Sequence, residues 1–136
     1  MIEHAEQEIM QYIKQGDNCC EAILKTADNL WELNLNEQVH YAAKFFKSGM
    51  QSGSTCGALV GIMMASGILA QTKNITLSGD FPKQLFKRFV EENGSSCCRV
   101  LRKDQGLRER MTNKGCCNIT QKAMKVLIEA WETGNG

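Results

Sequence analysis

Apolar positions along this chain recur at spacings of three and four rather than two, the period of helices packed on one side. Ile2, Ile9, Tyr12 and Ile13 form a first stripe that stops at Gly16, a normal helix end. Asp17-Asn18 then supply a cap, with Glu21 placed three residues after Asn18 as in a capping box, and Ile23, Ala27, Leu30 and Trp31 continue a second stripe. Asn34-Leu35-Asn36 reads as a turn. A third helix is predicted over 37–47, presenting Val39, Ala42, Ala43 and Phe46 before Ser48-Gly49 stops it.

Glycines 49, 53, 57 and 61 recur every fourth residue through the next segment. A helix over 54–70, capped by Ser54 or Thr55, would place Gly53, Gly57, Gly61 and Ala65 on one smooth ridge that a neighbouring helix can approach closely. Gly in a helix interior costs about 1 kcal/mol relative to Ala, so close packing must offset it. The polar, β-branched stretch 71–79 is a loop. Asp80 caps a fifth helix with Pro82 in its first turn, where proline is tolerated, and Phe81, Leu85, Phe86, Phe89 and Val90 form its apolar face up to Asn93-Gly94. Ser95-Ser96 cap a short helix through Leu101. Residues 104–114 are strongly polar and read as a solvated face, and Asn113 caps a last helix from Cys116 to about Thr133 that buries Ile119, Ala123, Val126, Leu127, Ala130 and Trp131.

With one proline, no strand alternation and no internal repeat, the pattern predicts an all-α protein, a single compact bundle of six to seven helices forming one domain over 1–136. A chain of 136 residues is long enough for an apolar core without staples. Sixteen basic residues against fifteen acidic ones leave no charge excess that would suit nucleic acid or an anionic membrane. The longest apolar run, 58–70, is too short to span a bilayer. The acidic start, Met1-Ile-Glu-His-Ala-Glu, lacks the features of a signal peptide, so a cytoplasmic protein is expected. Two Trp, five Phe and several apolar edges leave room for a homodimer, although no interface is written in the sequence.

The chemistry lies in seven cysteines: Cys19-Cys20, Cys56, Cys97-Cys98 and Cys116-Cys117. An odd number cannot pair completely within one chain, and in a reducing compartment such cysteines bind metal or do redox work. Each site falls in the first turn of a predicted helix, after a residue that can cap. A helix N-terminus carries about half a positive charge, which lowers a thiol pKa and makes a better nucleophile, leaving group or ligand. Arg99, Arg102 and Lys114 lie close in sequence and can add to that effect. Adjacent residues on a helix point about 100° apart, so one cysteine of each doublet is expected to face inward, the other being a resolving thiol, a second ligand or a small hydrophobe at the core surface. His4 and His40 are isolated, which argues against a papain-like thiol hydrolase, and Met63-Met64 read as core filling.

These residues resemble the family of redox-active proteins known by the pattern C-GCAxxG-C-C. Asn18-Cys19-Cys20-Glu21-Ala22 is similar to its first cysteine segment, and Gly53-Ser-Thr-Cys56-Gly57-Ala58-Leu-Val-Gly61 to its central signature, with the order of Gly and Cys reversed. Cys98-Arg99-Val-Leu101 resembles the third cysteine segment and Cys116 with Ile119 and Ala123 the fourth. The resemblance implies a small helical bundle, chiefly from anaerobic microbes, whose family cysteines are Cys19, Cys56, Cys98 and Cys116; Cys20, Cys97 and Cys117 are extra to the pattern.

Three functions follow as expectations. The first is thiol-disulfide exchange or electron transfer with a redox partner protein, in which Cys56, activated at its helix start, exchanges with Cys98 or another cysteine brought near by the bundle. The second is a module binding zinc or an iron-sulfur cluster through Cys19, Cys56, Cys98 and Cys116, the fold assembling the site. The third is a structural bundle in which the cysteines are inert small hydrophobes.

Overall fold

A computed structural model of the protein describes residues 1–103, 105 and 114–135, and it is an all-α bundle. Seven α-helices occur among the described residues: α1 (Ile2–Lys14), α2 (Cys19–Trp31), α3 (Glu37–Ala42), α4 (Gly57–Thr72), α5 (Phe81–Asn93), α6 (Cys98–Lys103) and α7 (Lys114–Asn135). None of them is long and apolar enough to cross a membrane.

Local signals account for most helix ends. Asn18 accepts from the Glu21 amide at 2.8 Å while the Glu21 carboxylate accepts from the Asn18 amide at 2.9 Å, so the capping box starts α2 where it was predicted. Asn36 caps α3, Pro82 sits in the first turn of α5, and Gly94 ends α5 with φ +95°. α1 packs on α7 and α2, and α5 on α7. α4 is apolar on nearly all sides rather than striped, as a helix enclosed by α2, α7 and α5 must be. Its broadest contact is with α2. A Cβ at Gly61 would stand 2.9 Å from Ile23 Cβ and 3.3 Å from Cys20 Cα, and one at Gly57 would strike the Phe46 carbonyl. The close approach expected of the glycine ridge is therefore real at positions 57 and 61.

Four sequence expectations change. Gly53 is not on the ridge: it lies before α4, with φ +65° and its α-carbon against Arg99. α4 begins at Gly57 rather than 54, because Ser54 to Cys56 pair with the 96–98 segment instead. The third helix stops at Ala42 and not at Lys47, since Asn18 Nδ2 donates to the carbonyls of Ala43 (3.1 Å) and Lys44 (3.0 Å) and draws the following chain away. Of the stretch 104–114 only Gln105 and Lys114 are described; Gln105 is buried against Gly115, not exposed. The Asn113 cap lies outside the described residues.

Candidate functional site: a cavity lined by four thiols

All seven cysteines carry free thiols, and they divide cleanly. Cys19, Cys56, Cys98 and Cys116 line one cavity of about 520 Å³; Cys20, Cys97 and Cys117 do not. Cys20 is fully buried with its sulfur 3.8 Å from Met64 Sδ, and Cys97 Sγ donates to the Gly53 carbonyl at 3.2 Å. One member of each doublet thus faces the cavity: the 100° step between helical neighbours separates Cys19 from Cys20 and Cys116 from Cys117, and the bridge that holds Cys97 separates it from Cys98. His4 and His40 stand outside it.

Backbone, more than side chains, brings Cys56 and Cys98 together. Cys56 N–H donates to the Ser96 carbonyl at 2.9 Å and Cys98 N–H to the Ser54 carbonyl at 2.6 Å, flanking an antiparallel bridge between Thr55 and Cys97. These two short segments come from distant parts of the chain and have no strand pattern.

The approach to that bridge is a left-handed turn. Ser48, Gly49, Met50 and Gln51 have φ of +53°, +61°, +62° and +57° in succession. Left-handed helical geometry costs about 1–2 kcal/mol for each residue with a Cβ, so the surroundings must hold it. Arg99 Nη2 donates to the Ser52 carbonyl at 3.1 Å and Arg102 Nη1 to Ser48 Oγ at 3.3 Å, while Gln51 N–H reaches the Lys47 carbonyl at 2.8 Å. Gly49 must be glycine for a second reason: a Cβ there would lie 2.7 Å from Cys98 Cβ.

The electrostatics correct the expectation that every helix-start thiol is acidic. Cys56 is the N-cap of α4, and the amides of Ala58 and Leu59 pull its pKa down, but burial outweighs them and pushes it up to about 11. Burial also raises Cys98, against the opposing pull of Arg102. Cys116 alone goes the other way. The Cys19 thiol hydrogen-bonds to its sulfur, and Arg102 and Gln105 add to the stabilisation, so that its pKa falls to about 6. Cys19, giving that hydrogen bond and crowded by protein atoms while keeping partial contact with the cavity, is raised well above its ordinary value. The direction is set first by the Cys19 thiol and then by the Arg102 guanidinium, both of which favour a thiolate on Cys116, while Cys19 is held toward its neutral form. Sequence spacing put Arg102 near Cys98; its action on Cys116 from α6 was not visible there. Gln105 was missed altogether, hidden in a polar run.

Four thiols around one cavity are the donor set for zinc or an iron-sulfur cluster. As placed, however, no group of three or more His, Cys, Asp or Glu side chains among the described residues is arranged to hold a metal ion.

Comparison with known proteins agrees with the cysteine pattern. Residues 17–130 match the family described as "Putative redox-active protein (C_GCAxxG_C_C)", a span that contains all seven cysteines, and the chain belongs to that family. No curated protein and no solved structure matches it.

Proposed function

We propose, from this membership and from the Cys19–Cys116 pair, that the protein is a dithiol oxidoreductase in which Cys116 attacks and Cys19 resolves. The observation that carries the reading is that Cys19 and Cys116 stand together on the wall of one cavity, with Cys116 drawn toward its thiolate by the Cys19 thiol and the Arg102 guanidinium. Exchange needs an attacking thiolate, a second sulfur within reach and access, and the Cys19–Cys116 pair on the cavity wall supports each of these.

The Cys116 thiolate attacks one sulfur of a substrate disulfide; the substrate S–S bond breaks, a mixed disulfide forms on Cys116, and the first substrate thiolate leaves. Cys19 then attacks Cys116 Sγ, its proton passing to the second departing sulfur. The products are a Cys19–Cys116 disulfide and two substrate thiols, one of which takes its proton from solvent. The protein has lost two electrons and the substrate has gained them. Return to the dithiol takes two electrons from a partner dithiol protein, which is the redox partner this function calls for. Relative to the sequence expectation, the nucleophile moves from Cys56 to Cys116, because desolvation keeps Cys56 protonated at neutral pH.

The test is thiol counting and a redox titration on protein purified anaerobically, with its metal content measured in the same sample. Wild type should show a reversible two-electron couple and a Cys19–Cys116 disulfide on peptide mapping. Cys116→Ser and Cys19→Ser should each abolish it. A couple that survives both substitutions, or stoichiometric zinc or iron held by the four thiols, would remove this reading, the latter in favour of the metal module.

A further inference from the structure

The cavity has a charge pattern that the dithiol chemistry does not use. Lys44, Lys47 and Arg102 line it, and none has a carboxylate partner among the described residues. Two acidic residues also line it, but Asp17 is engaged by Lys25, whose ammonium reaches both carboxylate oxygens at 3.0 and 2.8 Å. Glu21 is held at the α2 cap by the Asn18 amide. Among the described residues the wall therefore carries three cations without a carboxylate partner, Lys44 standing 6.0 Å from the Phe45 ring centroid and Arg102 facing Cys116, against one carboxylate that no cation engages.

Size and depth limit what can arrive. The volume of about 520 Å³ lies in the range of small-molecule sites, about 300–1,000 Å³. Cys116, the attacking thiol, is half-buried on the cavity wall, where a small disulfide that enters the cavity can meet it.

We propose that the cavity takes a small disulfide bearing carboxylates, with Lys44, Lys47 and Arg102 holding the carboxylates while the sulfur–sulfur bond is presented to Cys116. The proposal rests on the dithiol reading above and specifies its substrate class. The electron balance is the one already written, with both substrate thiols leaving as carboxylate-bearing products. Arg102 is suited to two successive roles. It faces the Cys116 thiolate before attack, and once that charge has been lost to the mixed disulfide the guanidinium is left to a substrate anion.

The preference can be read against solution chemistry, because a free thiolate repels anionic disulfides and attracts cationic ones. Fully reduced protein would be mixed under anaerobic conditions with dithiodipropionate (dianionic), hydroxyethyl disulfide (neutral) or cystamine (dicationic), and the second-order rate of Cys19–Cys116 disulfide formation measured. The expected order is anionic, neutral, cationic, with the first at least about tenfold faster than the second at low salt, a difference that shrinks as salt is added. In the Lys44→Gln/Lys47→Gln double variant, both positions being exposed, the ratio of anionic to neutral rates should fall toward one. An anionic probe no faster than the neutral one in wild type, or a ratio unchanged in the double variant, overturns the substrate assignment and leaves the dithiol reading standing. Failure of all three probes to form the Cys19–Cys116 disulfide overturns both.

Discussion

Cys19 with Cys116 and Cys56 with Cys98 share one cavity and all stand at helix starts, yet their protons are held differently. In the first pair one sulfur is stabilised as a thiolate, because a thiol, a guanidinium and an amide converge on it. In the second, both are kept neutral by burial, although Cys56 has two helix amides turned toward it. The contrast shows the limit of the helix terminus as an activator. Half a charge spread over a few N–H groups loses to desolvation unless a full opposite charge or a hydrogen-bonding partner joins it.

The harshest way to break the comparison is to drive the two pairs apart. Gly57 follows Cys56, and a Cβ there would meet the Phe46 carbonyl and approach Cys19 Cβ at 3.7 Å. A backbone carbonyl cannot swing aside, so Gly57→Leu should lower stability by 3 kcal/mol or more, above the usual range of about 1–3 kcal/mol for overpacking. Urea denaturation measures it, and wild-type stability in that variant would show that α4 does not pack as described.

Gly49→Ala should damage the second pair and spare the first. The new Cβ combines a left-handed φ of +61° with a 2.7 Å approach to Cys98 Cβ, for a loss of about 1–3 kcal/mol. Alkylation of Cys98 should change while the pH midpoint for Cys116 stays near 6. A moved Cys116 midpoint would mean the pairs are coupled through the turn.

Arg102→Gln sharpens the contrast electrostatically. Without the guanidinium, the midpoint for Cys116 alkylation should rise from about 6 by about one pH unit or more, and Cys98 should rise further still. Thiolate absorbance across a pH series reads both; an unmoved midpoint would assign the low value to Cys19 and Gln105 alone.

The smallest effect is on stability against pH, measured as thermal midpoints of reduced protein. Cys116 is lowered in the fold, so its contribution is present above the ordinary thiol value near 9 and is lost as pH falls through about 6. Stability should therefore climb between about pH 6 and 9. Cys19, Cys20, Cys56, Cys98 and Cys117 are raised, with Cys56 at about 11 and Cys20 at about 12. Their contributions are present below 9 and disappear as pH rises through the folded values. The curve should turn over near pH 9 and fall beyond it; a flat profile from 6 to 11 would contradict these assignments.

Much of this was written locally. The capping box at Asn18 and Glu21, the stop at Gly94 and the tight ridge at Gly57 and Gly61 depend on neighbours within a few residues or on the bare absence of a side chain, and both are visible in a string of letters. Which cysteine of each doublet faces the cavity was not legible in that way, since the sequence leaves the register at each doublet open by one residue and the fold places Cys19, Cys98 and Cys116 on the wall. What could not be read depends on chain segments far apart in sequence. Thr55 meets Cys97 through an isolated bridge with no alternating pattern to announce it, and that pairing moves the start of α4 from 54 to 57. Arg102 and Gln105 act on Cys116 across more than two helical turns of sequence, an approach that only the folded chain makes. Sequence by itself determined that the chain is helical, where most of its helices lie and which thiols are candidates, because periodicity and capping act over one or two turns. Tertiary structure alone decided which thiol carries the charge: a pKa is set by the sum of burial and every nearby charge, and those neighbours are fixed only when the bundle closes.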